Sequence, residues 1–371
     1  MISNASSLRT RIIGPLLAMS LLTAASSRAD DGGNRLVDSA AGAPSALHLD
    51  WAQLPSIPDP EGFAGAFAGV SGGALIVAGG ANVPGEKWKE PFVKKWYASA
   101  FVLEQPDGAW KSGFALPHPR GYGVSVTIDD SVICIGGSDE TGHFTDVFRM
   151  RWADGALRFE NLPPLPKPCA NACGALVGRT IYVAGGIETP TATTALHTFW
   201  ALDLDALNAG WKELEPWPGP ARMLAVAGSL DGAFYLFSGA SLSPDPEGKP
   251  LREFLRDAWR FTPGQGWTRL ADLPRPAVAA PTPAPASGSR LLVVTGDDGK
   301  NVLFQPVEKH PGFPRDTLVY DAATNAWTVL DNAPFSRATV PTVRWMDRFF
   351  IPNGEARPRV RTPEVWSLRV P

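Results

Sequence analysis

The sequence has little cysteine, little histidine and almost no net charge, and each of these shortages excludes a class of protein. Among its 371 residues are 3 cysteines and 5 histidines, and the formal net charge is −3. Three cysteines allow one internal disulfide at most, so the chain is not a small scaffold held together by disulfides. A charge so close to zero gives no reason to expect nucleic acid or an anionic membrane surface as the partner.

The few cysteines and histidines also argue against a metal centre. The histidines are scattered along the chain, and neither Cys169 nor Cys173 has a histidine at the spacing of a metal site. Cys134 lies inside the apolar run SVICIGG, where we expect a buried small hydrophobic residue. Cys169 and Cys173 are close enough in sequence to pair across a bend, and the sequence leaves that disulfide open. We predict no metal and no cofactor.

Beyond its N-terminus the chain has no apolar run that approaches the length of a membrane span. The N-terminus has Arg9 and Arg11, then the apolar stretch IIGPLLAMSLLTAA, and then small residues that end at Ala29. This order predicts a secretory signal peptide over residues 1–29, followed by a linker over residues 30–46. An uncleaved membrane anchor is the alternative, which Pro15 and the short apolar run disfavour. We expect a periplasmic or secreted protein with no membrane attachment after cleavage.

Turn-forming and aromatic residues are abundant, and they are regularly spaced. The sequence has 37 glycines, 36 prolines and 13 tryptophans, which favours short strands over long helices. Six apolar runs end in a glycine, and these glycines recur 49 to 58 residues apart: Gly80, Gly137, Gly186, Gly239, Gly296 and Gly354. An aromatic residue precedes each glycine by 27 to 29 positions: Trp51, Trp110, Phe159, Trp211, Trp267 and Trp327. Two markers in constant phase identify six copies of one unit.

A unit of about 50 residues with several short strands is typical of a kelch-type blade. We therefore predict an all-β fold, a six-bladed kelch-type β-propeller over residues 47–371. Each glycine should end the second strand of a blade, and each aromatic residue should open the outermost strand. The segment around Trp51 has no blade before it, and the final segment EVWSLRV has no fourth strand after it. The N-terminal strand is thus expected to complete the last blade and close the ring.

The loops between blades and the loops after the glycines are expected to share one face, around the mouth of a central channel. Four of the inter-blade loops carry an arginine at nearly the same phase: Arg120, Arg222, Arg275 and Arg337. A ring of arginines would attract an anionic ligand, and the planar guanidinium group suits a carboxylate. We predict these four as substrate-binding residues. The alternative is that each belongs to an ordinary solvated proline–arginine turn.

The loop after the last glycine combines one acid with several bases. In NGEARPRVRT the single acid, Glu355, is followed by Arg357, Arg359 and Arg361. A carboxylate can transfer protons while a neighbouring arginine binds an acidic substrate. The alternative is a Glu–Arg pair that only stiffens the loop.

The stretch NGEARPRVRTPEV, together with EGFAGAFAGVSGGALIVAGGA and PRGYGVS, resembles the bacterial N-acetylneuraminate epimerase family, the sialic acid mutarotases. The resemblance implies an exported six-bladed propeller whose catalytic glutamate and arginine fall on Glu355 and Arg361. In familiar members of that family the NGEA stretch precedes the FAGGFAG-like segment, whereas here it follows that segment. The chain therefore resembles a cyclically permuted member, which a closed ring permits because its last blade is adjacent to its first.

The same resemblance implies an isomerase that interconverts the anomers of N-acetylneuraminate, or of a related acidic sugar, by acid–base opening of the ring. Proton transfer by Glu355 would suffice, without a metal, a redox cofactor or a covalent nucleophile. The main alternative is a non-catalytic carbohydrate-binding or protein-binding propeller, which has no need for Glu355. Scattered histidines disfavour a copper oxidase, and the absence of Ser-x-Asp-x-Gly-x-x-Trp motifs disfavours a sialidase.

Overall fold

The computed structural model describes residues 47–330 and 333–370, and nearly all of their regular structure is β-strand. The predicted signal peptide over residues 1–29 and the linker over residues 30–46 lie outside the described residues. Two short 3-10 helices, Leu207–Ala209 and Val307–Lys309, are the helices of the described part. None of its helices is long and apolar enough to cross a membrane.

The strands, numbered in chain order, form six four-stranded antiparallel sheets, here called blades 1 to 6. Blade 1 consists of β2 (Phe67–Ser71), β3 (Ala74–Ala78), β6 (Ser99–Leu103) and β7 (Lys111–Ala115). Blade 2 consists of β8 (Val124–Ile128), β9 (Ser131–Ile135), β10 (Val147–Ala153) and β11 (Ala156–Leu162). Blade 3 consists of β12 (Cys173–Val177), β13 (Thr180–Ala184), β14 (Phe199–Asp203) and β15 (Lys212–Leu214).

Blade 4 consists of β16 (Val226–Leu230), β17 (Ala233–Phe237), β20 (Ala258–Thr262) and β21 (Gly266–Arg269). Blade 5 consists of β22 (Ala286–Ser287), β23 (Arg290–Val294), β24 (Thr317–Asp321) and β25 (Ala326–Leu330). Blade 6 consists of β26 (Val343–Trp345), β27 (Arg348–Pro352), β30 (Val365–Arg369) and β1 (Asp50–Leu54). The predicted all-β, six-bladed propeller is confirmed.

Three small hairpins extend from the ends of second strands. Each begins at the residue directly after a glycine of the repeat. They are β4 (Ala81–Asn82) with β5 (Lys95–Trp96), β18 (Ala240–Pro244) with β19 (Pro250–Phe254), and β28 (Glu355–Arg357) with β29 (Val360–Arg361).

The ring closes as predicted, because β1 is the outermost strand of blade 6. It pairs antiparallel with β30, from Asp50 opposite Arg369 to Leu54 opposite Val365. Arg348 on β27 reaches across the sheet and donates from Nη1 to Asp50 Oδ2 at 2.8 Å. The strand thus satisfies backbone groups of β30 that would otherwise lie at a free sheet edge.

The tryptophans that mark the repeat connect neighbouring blades. The indole N–H of Trp110 donates to the carbonyl of Pro55 at 2.8 Å, a residue about one repeat earlier in the chain. Trp211, Trp267 and Trp327 make the same bond, to the carbonyls of Pro163, Glu215 and Ala271. Each of these four tryptophans buries apolar surface and donates its one N–H to the preceding unit, which explains their constant phase. Trp51 is the exception, because its Nε1 is buried without a partner among the described residues.

The hydrophobic core is divided among the interfaces between adjacent blades rather than gathered at the centre. Between blades 3 and 4, for example, Phe199 and Phe234 are fully buried with ring centroids 5.3 Å apart. Comparable buried clusters fill the other five interfaces. The blades are therefore held side by side, and the space along the ring axis is left as a channel.

The glycine repeat follows from backbone geometry at the end of each second strand. All six repeat glycines have φ between 85° and 104°, a region that side-chain-bearing residues rarely adopt. The residue before them is at φ 55–56° in the last three blades, which is the ordinary left-handed region. Ser238, Thr295 and Asn353 occupy that position, so the residue before the repeat glycine need not itself be a glycine.

A closed circle of six backbone hydrogen bonds surrounds the channel. Each blade contributes one residue from the segment before its first strand, here called the lead-in. Each of these residues donates its N–H to the carbonyl of the corresponding residue in the preceding blade, at 2.6–2.9 Å. The six residues are Gly65, Tyr122, Asn171, Leu224, Ala279 and Thr339, all with φ between 51° and 65°. They line a cavity on the ring axis. The circle gives every blade the same position relative to the axis.

Candidate active site

Glu355 and Arg361 face each other across the hairpin β28–β29 and are direct register partners. Arg361 donates from Nη1 to Oε1 of Glu355 at 2.9 Å. The backbone N–H of Arg359 donates to the same oxygen at 2.9 Å. The two residues that the sequence singled out as catalytic are thus brought together as an ion pair, with Oε1 held by two donors.

This ion pair is largely withdrawn from solvent but keeps unused hydrogen-bonding groups. The Arg361 side chain is 6% exposed and that of Glu355 is 18% exposed. Burial works to lower the pKa of Arg361, but attraction to Glu355, then to Tyr122 and Glu61, raises it. Among the described residues, Nε of Arg361 is buried without an acceptor. A buried donor of this kind is available to a ligand.

A second cation, Lys94, lies at the same mouth of the channel. Its Nζ is 3.8 Å from the ring centroid of Tyr122 and 4.6 Å from that of Trp96. Tyr122 belongs to the channel wall and also interacts with Arg361. Within the described part of the chain Lys94 contacts these rings and has no carboxylate partner. Its charge is therefore not neutralised and adds to that of Arg361.

The segment between β4 and β5, residues 83–94, covers one side of the hairpin β28–β29. Arg359 donates to the carbonyl of Lys87 at 3.0 Å and forms an ion pair with Glu90. Its guanidinium carbon lies 4.0 Å from the ring centroid of Phe92. These contacts join the first and last blades at the mouth, so the candidate site is built where the ring closes.

A second carboxylate, Asp297, occupies the position in blade 5 that Glu355 occupies in blade 6. Each is the residue directly after the repeat glycine, and each pairs with the lead-in to its own blade, Asp297 with Val278 and Glu355 with Ala338. The other blades carry uncharged residues at this position: Ala81, Ser138, Ile187 and Ala240. Burial, then the charges of Asp298 and Glu355, raises the pKa of Asp297.

The four arginines predicted to bind substrate are each buried against an acid. Each acid directly precedes the third strand of the same blade. The pairs are Arg120 with Asp146 at 2.8 Å, Arg222 with Asp257 at 2.8 Å, Arg275 with Asp316 at 3.0 Å, and Arg337 with Glu364 at 2.7 Å.

These pairs give the four arginines a structural role. Their side chains are 0% to 10% exposed, and the described residues that line the central channel do not include them. Arg222 also donates to the carbonyl of Ser238, which fixes the end of a second strand. Each ion pair connects the segment before the first strand of a blade to the start of the third strand of the same blade. Their part in substrate binding stays a prediction.

The possible disulfide between Cys169 and Cys173 is not formed. Both residues are buried free thiols, as is Cys134. Sγ of Cys169 donates to the carbonyl of Gly185 at 3.4 Å, and Sγ of Cys173 to that of Ala184 at 3.8 Å. Burial raises the pKa of both thiols to about 12. The bend between them directs each sulfur to a different backbone carbonyl.

Sequence reasoning did not identify Asp297, Tyr122 or Lys94 as site residues. Asp297 was visible in principle, because TGD and NGE stand at the same place in two repeats. The position of Tyr122 is determined by its place in the circle of backbone hydrogen bonds. The position of Lys94 is determined by the way residues 83–94 of blade 1 fold over blade 6. Neither arrangement has a local sequence signal.

Comparison with known proteins places the sequence in a family. The sequence model of a family described as N-acetylneuraminate epimerase matches residues 33–159 and 162–308. A protein of Yersinia pestis (strain Pestoides F) named N-acetylneuraminate epimerase is 36% identical over 233 residues, 56% of this chain and 57% of that protein. A Haemophilus influenzae (strain 86-028NP) protein of the same name is 29% identical over 230 residues, 56% of this chain and 58% of its own length.

The extent of these matches matters for the site. The chain spans less than two thirds of the length of these curated relatives. The hairpin β28–β29 lies after residue 308, outside the residues that the family model matches. The matches therefore establish the family without testing Glu355 and Arg361 individually, and the cyclic permutation also stays a prediction.

Proposed function

Because the chain belongs to the N-acetylneuraminate epimerase family, we propose that it interconverts the anomers of N-acetylneuraminate or of a closely related acidic sugar. The observation that carries the proposal is the buried ion pair of Glu355 and Arg361 at the channel mouth. A carboxylate held by two donors on one oxygen is positioned to exchange protons. The Nε of Arg361, which has no acceptor within the described part of the chain, and the ammonium of Lys94 offer the charge that an acidic sugar requires.

The reaction is a ring opening followed by ring closure on the other face. Glu355 takes the proton of the anomeric hydroxyl, the bond from the anomeric carbon to the ring oxygen breaks, and that carbon becomes a ketone. The proton passes from Glu355 to the ring oxygen, which becomes a hydroxyl. After rotation about the neighbouring carbon–carbon bond, the hydroxyl attacks the opposite face of the ketone, and the protons return. The steps are proton transfers within reach of side-chain acids and bases.

The carboxylate of the substrate is attached to the anomeric carbon, which places it next to the reacting atoms. Binding by Arg361 and Lys94 would therefore align the anomeric hydroxyl with Glu355. Because Glu355 is itself an anion, the positive charge beside it offsets the repulsion between two carboxylates. The same arrangement disfavours neutral sugars, since they would leave two cations at the mouth without a new partner.

The proposal includes export. Residues 1–29 have the charged, apolar and small-residue order of a secretory signal, which supports a location in the periplasm or outside the cell. Detection of the chain in a periplasmic or extracellular fraction, with its N-terminus near residue 30, would support this. A full-length chain in the membrane fraction would contradict it.

Anomer exchange can be measured directly by proton NMR. Freshly dissolved single-anomer N-acetylneuraminate is followed with and without the protein, beside a neutral ketose treated in the same way. We expect the protein to accelerate equilibration of the acidic sugar only. Binding without acceleration would instead favour the non-catalytic carbohydrate-binding alternative.

A further inference from the structure

The proposed reaction needs an acid as well as a base, and Glu355 supplies one group. When the ring bond breaks, the anomeric hydroxyl loses a proton while the ring oxygen gains one at a different place on the sugar. One carboxylate can serve both atoms only by moving the proton between them. A second proton-transfer group on the other side of the sugar would remove that constraint.

Asp297 is linked to Glu355 through backbone hydrogen bonds at the seam between blades 5 and 6. The N–H of Gly296 donates to the carbonyl of Arg337 at 3.1 Å, and this bond joins blades 5 and 6. Asp297 directly follows Gly296, and Ala338, which follows Arg337, exchanges backbone bonds with Glu355. The two carboxylates thus flank one seam of the ring at matching positions.

The surroundings of the two carboxylates differ in the way that an acid–base pair requires. Glu355 is paired with a guanidinium. Asp297 is paired with no cation in the described part of the chain, and one of its oxygens accepts the backbone N–H of Gly299 at 3.0 Å.

The charged and titratable groups that face Asp297 favour its protonated form. They are Asp298, whose ion pair is with Lys300, then His310, and Glu355. Of these charged groups only His310 works to lower the pKa of Asp297, as does the hydrogen bond from the Gly299 N–H. Burial, with the two carboxylates, outweighs both and raises that pKa.

We infer that Asp297 is the second proton-transfer group of the site, protonating the ring oxygen while Glu355 deprotonates the anomeric hydroxyl. This inference depends on the proposed function. In ring opening, Glu355 becomes the acid, the bonding electron pair moves to the ring oxygen, and the proton of Asp297 joins that oxygen. In ring closure, Asp297 takes the proton back from the attacking hydroxyl and Glu355 returns its proton to the former ketone oxygen. Both side chains end as they began.

The inference is tested with Asp297→Asn, which keeps the acceptor for Gly299 N–H and the size of the side chain. The rate of anomer exchange is measured by NMR from acidic to alkaline pH, with the uncatalysed rate subtracted. We expect the exchange rate to fall roughly 100-fold while sugar affinity changes little. In the parent protein, activity should fall as pH rises through the pKa of Asp297, and the variant should lack that limb.

Asp298→Asn is the matched control, because it makes the same chemical change one residue away. It should keep the rate reached at low pH. Its basic limb should move toward lower pH, since a negative charge that raises the pKa of Asp297 has been removed. Asp297→Glu serves if the asparagine variant folds poorly. It should recover part of the rate and the basic limb, whereas a purely structural role predicts no recovery by the longer side chain.

The outcomes separate the inference from the function on which it depends. If the parent protein accelerates exchange and Asp297→Asn does so equally, with the basic limb intact, the role of Asp297 is wrong and the proposed function stands. If the parent protein does not accelerate exchange, the proposed function fails, and the role of Asp297 fails with it.

Discussion

Arg361 Nη1 donates to Glu355 Oε1 at 2.9 Å, between two residues that are direct partners across a hairpin of two short strands. The backbone pairing fixes the distance between their Cα atoms, so the ion pair does not depend on the ordering of a flexible loop. Removing either side chain should therefore change chemistry or binding more than it changes the fold.

Glu355→Gln should abolish most of the proposed activity while the protein still binds sugar. Glutamine keeps the size and an acceptor oxygen but cannot take up a proton, so anomer exchange should fall about 100-fold or more. Sugar affinity, measured by calorimetry, should change far less, because the glutamate repels the anionic ligand. A folded Glu355→Gln protein that exchanges anomers at the normal rate would remove Glu355 from the mechanism.

Arg361→Lys should weaken binding of the acidic sugar although it preserves the charge. Lysine lacks the planar fork and the Nε donor, which is buried without a partner among residues 47–330 and 333–370. A lost charge-assisted bond of about 1.5–3 kcal/mol corresponds to an affinity lower by roughly 10-fold or more. Arg357→Lys in the same hairpin is the control and should bind normally. Equal affinity for both variants would argue that Arg361 only stiffens the loop.

Asp257→Asn should destabilise the propeller, because it leaves the fully buried Arg222 without its counter-ion. The loss should be about 3 kcal/mol, measured by urea unfolding. The matched surface change is Glu86→Gln, which breaks the exposed pair with Lys89 and should have little effect. If Asp257→Asn impaired sugar binding without loss of stability, the structural account of these arginines would be wrong.

The same pair predicts how stability depends on acid. Burial would raise the pKa of Asp257, but the hydrogen bonds and charge of Arg222, with the indole of Trp259, lower it. A carboxyl whose pKa is lower in the folded state contributes stability above its unfolded pKa, and that contribution is lost as pH falls through the folded pKa. The free energy of unfolding of Asp257→Asn should therefore decline less steeply in acid than that of the parent protein.

The thiols should be inert in the folded protein and free when it unfolds. Since Cys169 and Cys173 are buried and burial raises their pKa to about 12, a thiol reagent at pH 8 should find almost no thiolate. All 3 cysteines should react once the protein is unfolded without reductant. Recovery of a single thiol under those conditions would show that Cys169 and Cys173 form a disulfide after all.

Deletion of residues up to Leu54 should weaken the whole ring rather than one sheet. The deletion removes β1 and leaves the backbone groups of β30 unpaired, next to an opened hydrophobic interface. Thermal unfolding should remain one transition at a clearly lower midpoint, with a greater tendency to aggregate. A truncated protein that melts like one starting at residue 47 would contradict closure by β1.

The blades and their closure could be predicted because each unit carries its own constraint. A glycine is required where φ lies near 100°, as at Gly354, and a tryptophan is required where an indole reaches the preceding unit, as at Trp327. These requirements repeat, so they leave a period in the sequence. The strand order then follows from the phase of the first and last units.

The site was harder to predict because it depends on contacts between blades. In the sequence Arg222 is an unpaired cation in a loop, because its partner Asp257 lies 35 residues later, just before a third strand. Lys94 acquires its place only when an insertion of blade 1 folds over the hairpin of blade 6. Only the pair Glu355 and Arg361 is local enough for the sequence to show both members together.

The closure by β1 also determines how the propeller would respond to mechanical force. Asp50 is opposite Arg369, so the two outer ends of the β1–β30 ladder lie side by side. Tension applied at Asp50 and Arg369 would break the hydrogen bonds of the ladder one residue pair at a time, instead of loading all five pairs in shear. Each of the other blades is built from strands that follow one another along the chain, so such a pull does not reach them first. We therefore expect the ring to unfold in one transition on heating but to open first at the β1–β30 ladder under force.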